Sequence, residues 1–97
     1  MNIPEVFYKF CQGLHQDAFD DYGPEPQDLI NGALGFVQKK EYGVLRDFLA
    51  TLLGGNSTDA ELNDIYNSTD RDIAIRGPRG VRPFLELALK TIGNRMQ

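Results

Sequence analysis

Apolar residues recur along this chain at intervals of three and four rather than two. Phe7, Phe10, Cys11 and Leu14 occupy i, i+3, i+4 and i+7, the spacing that lines one face of an α-helix. Pro4 suits a first helical turn, so the pattern predicts a helix over about residues 4–16. A second stripe of Leu29, Ile30, Ala33, Phe36 and Val37 starts after Pro26 and runs toward Lys39 and Lys40, cations suited to a helix C-terminus. Gly32 and Gly35 interrupt it, each at roughly 1 kcal/mol of helix propensity relative to Ala. Close packing against a neighbour would explain them. Leu45, Phe48, Leu49, Leu52 and Leu53 repeat the pattern until Gly54-Gly55 stops it.

Thr58-Asp59-Ala60-Glu61 has the form of a capping box, in which the threonine bonds forward and the glutamate back, and Leu62, Ile65 and Tyr66 supply a buried face behind it. The tetrapeptide Asn-Ser-Thr-Asp occurs at 56–59 and again at 67–70. Two capping signals account for it better than a solenoid, which needs at least three units. Ile73, Ile75 and the Gly- and Pro-containing run to Gly80 predict a loop with a brief extended piece. Val81, Phe84, Leu85, Ala88, Leu89 and Ile92 then form the cleanest stripe in the chain, with Pro83 in its first turn. About five amphipathic helices and almost no two-residue alternation predict an all-α fold, a compact helical bundle.

The chain has 97 residues, of which 41% are hydrophobic and 25% charged, the profile of a single small globular domain spanning residues 1–97. Its longest apolar stretches fall far short of the roughly 20 residues of a membrane span. The opening Met1 to Glu5 lacks a basic segment followed by an apolar one, which predicts a cytoplasmic protein. One cysteine, Cys11, and one histidine, His15, exclude an internal disulfide and the usual zinc ligand sets. No cofactor or metal is expected.

The net charge of −4 is unevenly spread. Residues 1–30 hold six acidic residues and one basic residue, and residues 59–72 are acidic again. Only the stretch from 73 to 97 is clearly basic. Phosphate neutralisation needs a basic surface, so this distribution disfavours direct nucleic-acid binding and suits a basic protein partner. Arg76, Arg79 and Arg82 stand among Gly and Pro without an aromatic stacking platform, as expected of a solvated loop paired with the acidic segments.

Catalytic constellations are incomplete. Cys11 lies one helical turn before His15, but it sits within the apolar stripe and reads as a core thiol. Leu53-Gly54-Gly55-Asn56-Ser57 resembles the Leu-Gly-Gly-Asp-Ser motif of acyl and peptidyl carrier domains, which would make Ser57 an attachment site for a phosphopantetheine arm. The match covers five positions, with Asn56 in place of the aspartate and Thr58 in place of a hydrophobic residue, and the capping role of the same segment explains it better. An enzyme is not expected; the alternatives to be weighed are a carrier-like domain and a small protein-binding regulator.

The acidic segment 17–26 carries the most specific signal. Gly23-Pro24 and Pro26 forbid a continuing helix, and the segment reads as a loop. A solvated loop is the plain reading. Asp17, Asp20, Asp21, Glu25 and Asp28 also form a first set of candidates for contacting a cationic protein, with Phe19 and Tyr22 as aromatic anchors. Asp59, Glu61 and Asp64 form a second set.

Gly13-Leu14-His15-Gln16-Asp17, the acidic Pro-containing stretch and the helix at 29–37 are similar to small immunity proteins of bacterial contact-dependent growth inhibition systems. The similarity continues through the helix at 44–53, the Ser-Thr-Asp-Ala-Glu-Leu start of the fourth helix and the last helix. Leu14 and Ala18 stand where that family commonly has aromatic residues. The resemblance implies a helical protein that binds and neutralises the toxic C-terminal domain of a cognate effector, often a nuclease. It marks His15, Gln16 and Asp17 as a family motif with a structural role. An acidic inhibitor would be drawn to such a toxin by the same field that attracts nucleic acid.

Overall fold

The computed structural model describes residues 3–14, 21–23, 25–55, 57–68 and 80–96. Among these, every regular element is helical: α1 (Glu5–Gln12), α2 (Pro26–Ala33), α3 (Tyr42–Gly54), α4 (Asp59–Asn67) and α5 (Arg82–Arg95), with single 3₁₀ turns at Leu34–Phe36 and Lys39–Glu41. The fold is the all-α bundle that the periodicity predicts. Its shortest dimension is 20 Å, the thickness of two helix layers. No described helix is long and apolar enough to cross a membrane.

Each stripe turns its apolar side to one core. Phe7, Phe10, Cys11 and Leu14 meet Ile30, Ala33 and Leu34, and these pack with Leu45, Leu49 and Leu52 of α3, Leu62 and Tyr66 of α4, and Leu85, Ala88 and Ile92 of α5, all at most 2% exposed. Phe7 and Phe48 add a tilted ring pair with centroids 5.1 Å apart, joining α1 to α3.

Helix α5 organises the rest, since α2, α3 and α4 all pack on it. Gln27 Nε2 donates to Thr91 Oγ1 at 3.0 Å and Arg95 Nη2 donates to Asn31 Oδ1 at 3.1 Å. Both pairs advance by four residues in the same sense, so α2 and α5 run parallel. Arg95 Nη1 also donates to the Tyr42 hydroxyl at 3.1 Å. The end of α5 therefore meets the start of α3, and these two helices are antiparallel.

Several boundaries differ from the sequence expectation. Helix α1 stops at Gln12, short of 16, with Gly13 as its capping residue, and Gly13 comes against α2, where a Cβ would lie 2.5 Å from the Ala33 Cα. The second stripe does not run to Lys40. It tightens to a 3₁₀ turn after Ala33 and breaks at Val37, whose φ of −113° and ψ of 127° are extended. Leu34 is buried in the place that the expected stripe gave to Phe36, which is 46% exposed. Lys39 and Lys40 consequently begin the turn that leads into α3, where Gln38 N donates to Glu41 Oε1 at 3.3 Å.

The capping box at Thr58 forms as expected, with Glu61 N donating to Thr58 Oγ1 at 3.1 Å and Thr58 N to Glu61 Oε1 at 3.2 Å. The second copy of the tetrapeptide does something else: Ser68 closes α4 from its C-terminal side, its Oγ donating to the Ile65 carbonyl at 2.7 Å. The predicted extended piece at 73–75 lies outside the described residues.

Candidate functional site

Of the first acidic set, Glu25 and Asp28 stand on the opening turn of α2. Glu25 is the extended N-cap residue, Pro26 starts the helix, and Glu25 N donates to Asp28 Oδ2 at 3.3 Å. A carboxylate at this end of a helix meets the positive end of the dipole, so part of the acidity serves the helix itself. Asp21 and Tyr22 have helical backbone rather than the loop that the sequence suggests, and Gly23 ends it with a φ of +127°. That left-handed geometry is open to glycine, and it lets the chain turn back over α2. A Cβ on Gly23 would lie 2.5 Å from Asp28 Oδ2, and one on Gly32 would run into the Tyr22 ring.

Tyr22 is thus a half-buried ring seated on α2, next in sequence to the exposed Asp21 and beside the turn that carries exposed Glu25 and half-buried Asp28. These four candidates occupy one region. Asp17, Phe19 and Asp20 of the same set, and the motif His15, Gln16 and Asp17, lie outside the described residues.

The second set is placed elsewhere and is largely engaged within the fold. Asp59 pairs with Arg82 at the start of α5, and Arg82 Nη2 donates to the Ser57 carbonyl at 2.6 Å. Asn63, one turn after Asp59, accepts from Val81 N at 2.9 Å. Glu61 is occupied in the capping box, and Asp64 is exposed, its side chain bonded to no other residue among those described. Helix α4 grips α5 at residues 81 and 82 whereas α2 meets it at Thr91, roughly 13 Å further along at 1.5 Å per residue. The described members of the two acidic sets are therefore separate. Arg82 pairs with an acidic residue as expected, but from the first turn of α5 and with a largely buried side chain rather than from a solvated loop; Arg76 and Arg79 lie outside the described residues.

One carboxylate is electrostatically tuned. Lys9 Nζ of α1 donates to Glu41 Oε2 at 3.1 Å, and this contact, aided by the Gln38 amide, holds the Glu41 carboxyl below its ordinary value despite the opposing effect of burial. It ties α1 to the turn before α3. Cys11 lies in the apolar core, as its place in the stripe predicts. Among the described residues, no three His, Cys, Asp or Glu side chains converge as a cation site would require.

Sequence reasoning missed one surface feature. An open groove of about 430 Å³ runs between the end of α3 and the middle of α5, lined by Ala50, Leu53, Gly54, Glu86, Leu89 and Lys90. Leu53 and Leu89 look like ordinary core members of their stripes, yet both are only half-buried. The available signal was the small residues at 50 and 54 facing a Glu-Lys pair at 86 and 90, which acquires meaning only once the helices are paired. No family model, curated protein or solved structure matches this chain.

Proposed function

We propose that this protein is a cytoplasmic immunity protein that binds the basic C-terminal toxin domain, a nuclease by class, of a cognate contact-dependent growth inhibition effector. The reading is supported most by the seating of the Tyr22 ring on Gly32, among Asp21, Glu25 and Asp28 on one region of α2. An aromatic group held at low conformational freedom and flanked by carboxylates is the composition expected where a cationic protein is to be recognised. The likeness of the His15-Gln16-Asp17 segment and helix order to immunity proteins adds the biological class.

In this reading the chain needs no catalytic group. Exposed carboxylates accelerate encounter with the toxin and disfavour acidic competitors, while Tyr22 and its apolar surroundings supply specificity.

Copurification of the tagged protein from cells expressing its chromosomal neighbours, followed by mass spectrometry, is expected to recover one stoichiometric basic polypeptide, the C-terminal fragment of a large effector. With that fragment, Asp21→Lys combined with Glu25→Lys is expected to slow association by roughly tenfold at low salt and much less at high salt. An unchanged association rate would remove this surface from consideration. Failure of any basic polypeptide to copurify while the effector is expressed would overturn the immunity reading itself.

A further inference from the structure

The groove between α3 and α5 is unused by the acidic region on α2, and its chemistry is that of a surface able to recognise itself. Its floor is formed by Ala50, Leu53 and Leu89, with Gly54 at one end. Ala50 and Gly54 are exposed, and a Cβ on Gly54 or on Gly93, one turn beyond Leu89, would meet nothing within 4 Å. Space is therefore left over a strip of two antiparallel helices on which another helix can approach closely.

The rim carries one acid and one base. Glu86 and Lys90 stand four residues apart with the acid first, the order that favours pairing along a helix. Yet neither forms an ion pair with another described residue, and both remain exposed beside half-buried Leu89. Around a two-fold axis close to Leu89, α5 would meet the α5 of a second molecule in antiparallel fashion. Glu86 would then face Lys90 of the other copy, Lys90 its Glu86, and the two Leu89 side chains would meet between them. An isologous contact of this kind needs a patch complementary to itself, and an acid and a base placed symmetrically about an apolar centre meet that condition.

We propose that the α3–α5 face is a homodimer interface, in which a second copy of this chain occupies the groove and reciprocal Glu86–Lys90 pairs set the antiparallel alignment. The occupant is a second copy because its charges match this rim in both directions by construction. A foreign helix would need the same acid-base spacing to do so. The proposal is independent of the α2 surface and does not depend on the immunity reading.

Sedimentation equilibrium of the full chain, from roughly micromolar to sub-millimolar concentration, is expected to show a mass rising from the 10.9 kDa of one chain toward twice that value. Glu86→Lys alone, or Lys90→Glu alone, places like charges opposite one another at two symmetric points and is expected to weaken the dimer by roughly tenfold or more. Mixing these two variants restores opposite charges at both points and is expected to recover association as a heterodimer. That rescue cannot arise from variants that have simply failed to fold, and circular dichroism of each verifies its helicity. A chain that stays at monomer mass throughout, a dimer indifferent to both reversals, or a mixture that does not reassociate would each overturn the proposal. So would monomers whose groove is occupied instead by the copurified partner, revealed by loss of that partner in Ala50→Arg.

Discussion

Glycine 13 shows how a single backbone position constrains this bundle. The crossing of α1 over α2 brings its Cα region against Ala33, where an added Cβ would lie 2.5 Å from the Ala33 Cα and 2.9 Å from its Cβ. These are atoms of a packed helix, not the loose end of a side chain, so the helices must part to admit a methyl group. Gly13→Ala is expected to destabilise the protein by about 1–3 kcal/mol, read as a lower urea midpoint with an unchanged slope. The two glycines of α2 and its following turn separate in the same way. Gly32 receives the Tyr22 ring, as close packing would require, whereas a Cβ on Gly35 would touch nothing. Their propensity cost is identical in the sequence. What distinguishes them is a ring that arrives from ten residues upstream, which no local pattern contains.

At the scale of elements, helix ends explain much of the connectivity. The capping box of α4 is local, with donors and acceptors within three residues, and it was readable directly from Thr58 and Glu61. The start of α5 is held by a remote residue instead. Asn63 accepts from Val81 N across 18 residues, and the backbone reaches that position through Gly80 at a φ of +59°, where a side chain would also collide with Asn63. Val81 is 1% exposed, so its amide has no ready access to water if the asparagine is removed. Asn63→Ala is expected to cost about 1–3 kcal/mol and to increase amide exchange at the start of α5, while the exchange of α1 changes little. Sequence inspection could place Asn63 on α4 and Val81 at the next helix start. It could not join them, because the joining depends on how α4 returns against α5.

For the whole molecule, α5 acts as the common partner of α2, α3 and α4, and α1 is fastened separately through its apolar face and the Lys9–Glu41 pair. That pair gives the fold a defined acid sensitivity. Because Glu41 has its carboxyl lowered in the folded chain, the unfolded chain binds more protons near the ordinary value of 4.5. The contact's contribution is present above that pH and disappears as the pH falls through the lower folded value. Glu41→Gln is expected to reduce the melting temperature at neutral pH, and the gap from the original protein is expected to narrow as the pH drops below about 4. Thermal melts across that range would check it; a gap independent of pH would show that the carboxylate charge is not what Lys9 contributes.

The sequence alone determined the all-α class, the presence of five helices, Cys11 in the core and the capping box at Thr58, because each depends on contacts within a few residues or on a face presented to any core. It also supplied the acidic candidates at α2 and α4, but not the contacts that Asp28, Asp59 and Glu61 make within the fold. Only the tertiary structure decided that Asp59 is engaged with Arg82, that Tyr22 lies on Gly32 beside Asp28, that Phe36 faces outward, and that Glu86 and Lys90 border an open groove. Each of these depends on the relative placement of segments far apart in the chain. Periodicity states which side of a helix is apolar, and the geometry of packing states what that side, and the polar rim around it, will meet.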